Sequence, residues 1–307
     1  MKKIKVHAPA SVANVVCGFD ILGFALSEPF DELLIQRTSE ESITIINKDD
    51  YGLPVEPEKN VIGASLLAML DAMEEQGGFR VESSKSIKPG SGIGSSAASA
   101  AGAVMGANQL LNKPFGKKEL IQFAMCGEQV ASGAKHADNI APCIYGGMTL
   151  VRSADPLDIV QIPAPPLFVT VLHPQLEIKT SEARNILKKE ISLRDATRQW
   201  GNVAGLVAGL MSEDYDLIGR SLEDVIAEPA RSGFIPAFHD VKRACLLAGA
   251  LGGGISGSGP SVFMFSKDLP TALNVQWAMN NVYQRTGIEF KTYVTNINQE
   301  GVRIVKN

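Results

Sequence analysis

Lys88-Pro-Gly-Ser-Gly-Ile-Gly-Ser-Ser-Ala-Ala-Ser-Ala-Ala101 runs a glycine and serine loop straight into an alanine-rich segment. Glycine tolerates positive φ, so Gly90, Gly92 and Gly94 let the backbone turn sharply and bring several N–H groups to one point. The alanines predict a helix over 96–111, whose positive dipole end faces that same point. Ser95 and Ser96 add hydroxyls, one of them placed to take a metal ion. The expected occupant is an anion, most simply a nucleotide polyphosphate.

The loop differs from the commoner phosphate motifs. A Walker loop needs a lysine after its last glycine, and none is present. Gly92-Ile-Gly94-Ser-Ser-Ala97 fits G-x-G-x-x-A, but a dinucleotide fingerprint follows an apolar strand, whereas Glu82-Ser-Ser-Lys-Ser-Ile-Lys-Pro precedes it here. A glycine turn that merely caps a buried helix would look the same at this stage.

The 307 residues suffice for two domains sharing a cleft. Hydrophobic residues at 45% and charged ones at 20% describe a globular chain, and a net charge of −4 gives a nucleic-acid backbone no strongly basic surface. Cys17, Cys126, Cys143 and Cys245 are scattered with no C-x-x-C pair, which suggests neither zinc site nor disulfide framework and fits a reducing cytoplasm. No charge falls between Lys88 and Lys113, yet the alanine, glycine and serine content suits a close-packed buried helix better than a lipid-facing one.

Working outward, residues 3–8 alternate as a strand, 9–23 read as a turn-rich loop, and 30–37 and 42–46 as further strands. Asn60 is placed to cap a helix to about 76, and 79–87 returns as a strand into the glycine loop. A helix is expected over 117–132. Prolines 156, 163, 165 and 166 break the pattern and place a domain boundary there, giving domains 1–163 and 164–307. Beyond it come a strand over 167–172, helices from 181 to about 224 and over 238–250, a strand over 261–265, a helix over 270–285 and a final strand pair. Strands mixed with paired helices indicate α+β.

Leu120, Ala124 and Glu128 share one helix face, so the carboxylate points inward with the apolar residues. It answers either a structural partner or a hard cation such as Mg²⁺. Lys135-His-Ala-Asp-Asn139 concentrates polar groups as an active-site wall would, or a solvated turn. Gly252-Gly-Gly-Ile-Ser-Gly-Ser-Gly-Pro-Ser261 offers donors from Ser256, Ser258 and Ser261, so two glycine loops suggest two walls of one cleft.

These segments together resemble the GHMP small-molecule kinases, named for galactokinase, homoserine kinase, mevalonate kinase and phosphomevalonate kinase. The resemblance rests on Ala8-Pro-Ala-Ser-Val-Ala-Asn14 through Gly18-Phe-Asp20, on residues 89–97, and on Gly254-Ile-Ser-Gly-Ser-Gly-Pro-Ser261, in order along the chain. Gly18-Phe-Asp20-Ile-Leu-Gly, Ser132-Gly-Ala-Lys-His136-Ala-Asp138-Asn139, Ser181-Glu-Ala-Arg184 and Glu228-Pro-Ala-Arg231 are similar to signatures of the homoserine kinase branch.

The resemblance implies an N-terminal ATP-binding α+β domain, a C-terminal ferredoxin-like α+β domain, and an ATP- and Mg²⁺-dependent phosphotransferase acting on the hydroxyl of L-homoserine for threonine biosynthesis. It assigns the nucleotide to Asn60, Pro89, Gly90, Ser91, Gly92 and Ile93, and to Gly94, Ser95, Ser96, Ala97, Ala98 and Ser99. For Asn60, which resembles an adenine-pocket contact, a helix cap is almost as good an explanation. Ser96 and Glu128 would hold the metal, and Asn14, Asp20, His136 and Asp138 the amino alcohol, with Arg184 and Arg231 on its carboxylate. Asn139 stands where related kinases carry an aspartate base, so alignment of the hydroxyl is its implied role, with Asp138 left open as a base. The competing readings are a kinase for mevalonate or a sugar, and a silent ligand sensor on the same scaffold. The resemblance is compatible with a homodimer and implies no membrane or nucleic-acid partner.

Overall fold

In the computed structural model, which describes residues 2–73, 77–178 and 180–305, the chain begins as a long antiparallel hairpin of β1 (Lys3–Ala13) and β2 (Leu22–Thr38). The expected loop over 9–23 shrinks to 14–21. From Ala8 onward β1 is buried at every position, so the two-residue alternation that marks a half-buried strand vanishes from the sequence. β3 (Ile43–Asn47), α1 (Val61–Asp71) and β4 (Gly78–Ser84) follow, with β3 and β4 parallel and β4 paired to β2. Asn60 caps α1, its side chain accepting from the Ile62 N–H at 2.8 Å. The helix ends at Asp71, and residue 76, where it was expected to end, lies outside the described residues.

α2 (Ser95–Leu110) explains the charge-free stretch, since most of its residues are buried between the hairpin and the helices α1 and α3 (Lys117–Ser132). Its small residues let it lie close. A Cβ on Gly102 would sit 2.6 Å from Leu33 Cδ1, and one on Gly106 would sit 2.4 Å from Ile35 Cδ1. No helix among the described residues is long and apolar enough to cross a membrane.

The sequence did not reveal α4 (Ile140–Tyr145) or the hairpin of β5 (Met148–Ala154) and β6 (Leu157–Ile162), which extends the first sheet from β2. Pro156 sits at that hairpin's tip, so one of the prolines read as a boundary marks a turn within the sheet.

The second sheet has four antiparallel strands in the order β10-β7-β9-β8, built from β7 (Phe168–Pro174), β8 (Gly252–Ile255), β9 (Val262–Ser266) and β10 (Phe290–Asn296). Renumbered within the sheet this order is 4-1-3-2, the split βαβ arrangement of ferredoxin-like folds. α9 (Phe238–Leu247) and α10 (Leu269–Gln284) cover one face. Between β7 and α9 lie α5 (Thr180–Asn185), α6 (Leu193–Ser212), α7 (Tyr215–Ser221) and α8 (Glu228–Arg231).

Alternation along β9 joins the two layers. Val262 and Met264 pack with the residues under α9 and α10, while Phe263 and Phe265 point the other way into the large core and meet Phe24 at centroid distances of 5.5 and 5.2 Å. The expected final strand pair divides: β10 joins the second sheet, whereas β11 (Arg303–Val305) returns to the first and pairs with β1.

Candidate active site

A cavity of about 560 Å³ opens between the glycine loop, the 14–21 loop, the end of α3 and the arginines of α5 and α8. Gly90, Gly92 and Gly94 have φ of 72°, 80° and 70°, the left-handed region that the sequence reading required of them. Space demands glycine as well: a Cβ on Gly94 would lie 2.1 Å from Ser11 Oγ, and one on Gly92 would lie 2.5 Å from the Gly259 carbonyl oxygen. Gly94 is the N-cap of α2, and the first amide to find a helical carbonyl is that of Ala98, on Gly94 O at 2.9 Å. The N–H groups of residues 95–97 are left for an anion.

Of the residues assigned to the nucleotide, Pro89, Gly90, Ser91, Gly92, Gly94, Ser95, Ser96, Ser99 and Asn60 line this cavity. Ile93, Ala97 and Ala98 do not; their side chains are in the core, so any part they play is through the backbone. Several polar side chains already have partners. Ser95 Oγ donates to Ile87 O at 2.8 Å, and Asn60 Nδ2 donates to Pro54 O at 2.6 Å while its Oδ1 caps α1. Ser99 Oγ accepts from Lys85 Nζ at 2.7 Å.

Ser96 is engaged differently. Its Oγ donates to Glu128 Oε2 at 2.6 Å, and among the described residues no cationic side chain pairs with that carboxylate. Burial lifts the Glu128 carboxyl to about 7, against the Ser96 and Ser132 hydroxyls that pull it down. An inward carboxylate with a hydroxyl beside it and no counter-charge suits a hard cation. Among the described residues there is no cluster of three or more His, Cys, Asp or Glu side chains that could hold a metal ion.

On the opposite wall Arg184 forks onto Asp20, with Nη1 on Oδ2 at 3.0 Å and Nη2 on Oδ1 at 2.7 Å. Arg231 donates from Nε to Ala183 O at 2.9 Å and from Nη1 to Gly257 O at 3.1 Å. Both guanidinium carbons lie over the Phe19 ring, at 5.3 and 5.0 Å from its centroid. Burial, and then the charge of Arg184, lower the pKa of Arg231. Two cations thus share a wall with one paired carboxylate, and the buried Nε of Arg184 has no hydrogen-bond partner among the described residues.

Asn14 is held at φ 70° and joins loops: its Nδ2 donates to Gly257 O at 2.9 Å, and its Oδ1 accepts from the Asp20 N–H at 3.0 Å. Asn139 Oδ1 accepts from Ser11 Oγ at 2.8 Å, which turns its amide nitrogen away from Ser11. Asp138 lines the cavity yet is 5% exposed; burial first, then the charges of Asp20 and Glu128, raise it to about 7. Burial and Arg184 depress the His136 imidazole, with Asp20 opposing them.

The second glycine loop differs from its sequence reading. Ser256 Oγ donates to Gly92 O at 2.7 Å and Ser261 Oγ to Ser91 O at 2.6 Å, so both hydroxyls brace the first loop and neither faces the cavity. Only Ser258 and Gly257 reach it. Sequence reading also missed Phe19, Glu177 and Lys85 on the cavity wall. Lys85 Nζ bonds Asp31 Oδ2 at 2.5 Å and Ser95 O at 3.2 Å, tying the sheet to the first turn of α2. A lysine in a polar run such as Glu82-Ser-Ser-Lys85 carries no mark of burial.

The two raised carboxyls give a pH dependence. Glu128 and Asp138 ordinarily titrate near 4.5 and 3.8, and in the fold each is raised to about 7. Their stabilising contribution is full below the ordinary value and is lost as pH rises through the folded one. At about 1.4 kcal/mol per unit, Glu128 gives up on the order of 3 kcal/mol between pH 4.5 and 8. Thermal unfolding without metal or nucleotide should therefore show wild type losing stability relative to Glu128→Gln between pH 5 and 8. The difference isolates this group from His136 and His173, whose depressed values act in the opposite sense. A gap independent of pH would contradict the assignment.

Residues 60–147 match the GHMP kinases N terminal domain and residues 206–285 the GHMP kinases C terminal domain. The chain belongs to the GHMP kinase family, and it is an ATP-dependent kinase. It is 48% identical to a homoserine kinase of Chloroherpeton thalassium, over 99% of this chain and 100% of the relative, and 37% identical to one of Methanocella arvoryzae, over 99% and 98%. The crystal structure of a homoserine kinase from Cytophaga hutchinsonii matches with a TM-score of 0.96 at 49% identity, covering 99% of this chain and 98% of that one. Within the family these full-length likenesses place the chain among the homoserine kinases. Mevalonate kinase of L. major, at TM-score 0.72 and 15% identity, shares the fold alone.

Proposed function

We propose that this kinase transfers the γ-phosphoryl group of ATP to the hydroxyl of L-homoserine, with phosphates on the glycine loop and the amino acid on the Phe19 wall. The carrying observation is the pair Arg184 and Arg231 over one ring beside Asp20, two guanidiniums and one carboxylate that complement a zwitterion. Asp20, His136 and Asp138 serve the ammonium end, and the free donors of the arginines the carboxylate. Asn14 contributes by fixing the loop that carries Asp20. In this reading residues 1–163 form the nucleotide domain and 164–307 the second domain, apart from the last strand, which returns.

Ser96 Oγ and Glu128 would hold Mg²⁺, which when bound neutralises charge on the transferring phosphoryl. The remaining work falls to the chain. The amides at the start of α2 stabilise phosphate oxygens, and Asn139, anchored through Ser11, presents its amide nitrogen to the acceptor hydroxyl. An amide removes no proton, but phosphoryl transfer through a loose transition state depends chiefly on alignment.

Asn139→Ala should accordingly lower kcat by about 10- to 100-fold while the homoserine KM stays within about threefold, because alignment matters most at the transition state. Steady-state kinetics decide it, and an unchanged kcat would assign Asn139 to the scaffold. The substrate assignment itself is tested by following ADP release with homoserine, mevalonate, galactose and shikimate. Preference for any acceptor but homoserine sinks it.

A further inference from the structure

Helix α8 is four residues long, has Pro229 in its first turn, and carries Arg231. One helical turn has no stability of its own, because ordering its residues outweighs the single hydrogen bond it gains. The amides at its start, those of Glu228, of the N-cap Ala227 and of Ile226 just before it, would destabilise it further if left without partners. Asp224 takes them. Its Oδ1 accepts from the N–H groups of Ile226 at 2.8 Å and Ala227 at 3.1 Å, and its Oδ2 from those of Ala227 at 3.1 Å and Glu228 at 2.7 Å.

Gln199 of α6 links this carboxylate to the other wall residues. Its Nε2 donates to Asp224 Oδ1 at 3.0 Å and to the Cys17 carbonyl at 2.7 Å, and its Oε1 accepts from the Val225 N–H at 3.1 Å. Cys17 stands just before Phe19 and Asp20 in the 14–21 loop. Both Gln199 and Asp224 are buried, and neither lines the cavity. A buried amide with each of its polar atoms engaged fixes geometry more strongly than a solvated one.

We propose that Gln199 and Asp224 are positioning residues that hold α8 and the 14–21 loop in one register, and thereby set Arg231 against Phe19 and Asp20 for the amino-acid end of the acceptor. The proposal rests on the assignment of Arg231 to the acceptor carboxylate. A displacement of about 1 Å between two segments of a preorganised site can cost up to about 100-fold in its function.

Gln199→Met keeps the side-chain length and removes its three hydrogen bonds, and Asp224→Asn keeps the shape and leaves one acceptor oxygen. The acceptor KM should rise about 5- to 50-fold in the first and less in the second, with the KM for ATP and the acceptor-free ATPase within about twofold of wild type. Preference for homoserine over 3-aminopropan-1-ol, which lacks the carboxylate, should shrink in both. In an Arg231→Ala background, Asp224→Asn should add less than about twofold, because the residue it positions is gone.

Full additivity in that background, or equal rises in both KM values, overturns the proposal. So does an unaltered analogue preference in both variants when Arg231→Ala does alter it; the carboxylate assignment then stands without this support. An unaltered preference in Arg231→Ala itself overturns the assignment instead. If Gln199→Met does not fold, Asp224→Asn in the two backgrounds decides alone.

Discussion

Glu128→Ala should lower kcat by about 100- to 1,000-fold and raise the Mg²⁺ concentration needed for half-maximal rate, while the protein stays folded. Loss of one electrostatic partner at the reacting centre typically has that size. Stability moves the other way. Glu128 is an inward carboxylate whose side-chain partners among the described residues are hydroxyls, and burial already drives it to about 7. Removing it above pH 7 relieves an unpaired buried charge, so the ligand-free variant should melt no lower than wild type at pH 8. A Mg²⁺ titration of turnover and a melting curve read the two effects separately. Unchanged turnover with an unchanged Mg²⁺ dependence would leave Glu128 a structural carboxylate.

Arg231→Ala and Arg184→Ala should each raise the homoserine KM by roughly 10- to 150-fold with the KM for ATP little changed, since a charge-assisted hydrogen bond contributes about 1.5–3 kcal/mol. The geometry separates the two variants. Loss of Arg184 leaves Asp20 without its forked partner, so its effect includes an uncompensated carboxylate. Loss of Arg231 leaves the carbonyls of Ala183 and Gly257 without that donor, so its effect is partly structural. The control is 3-aminopropan-1-ol. Wild type should use it poorly, and the penalty relative to homoserine should shrink in each variant; an undiminished penalty would show that neither arginine reads a carboxylate.

What the sequence revealed depended on whether the physical demand left a local mark. The glycine loop was legible because left-handed φ at 90, 92 and 94 forces glycine, and α2 because burial of most of its residues excludes charge over a long stretch. Glu128 was legible because four-residue spacing put it on the apolar face of α3. The remaining features are pairings across distance. Lys85 finds Asp31 and Gln199 finds Asp224 from separate elements, and no periodicity announces either contact. Ser256 and Ser261 show the converse error: a serine between glycines looks the same whether it faces a ligand or a neighbouring carbonyl. The β5–β6 hairpin was hidden because prolines at its tip and beyond its end read as one linker.

The return of β11 to β1 also bears on how the chain comes off the ribosome. The N-terminal half is made first, yet its core lacks Phe263 and Phe265 until the second half is made, and one edge of its sheet stays open until residues 303–305 emerge. An exposed strand edge is a template for pairing with other chains. A fragment cut at 163 should accordingly be prone to self-association. A circular permutant joining the two ends keeps the β1–β11 pairing and should stay soluble, because that pairing already holds the two ends of the chain side by side.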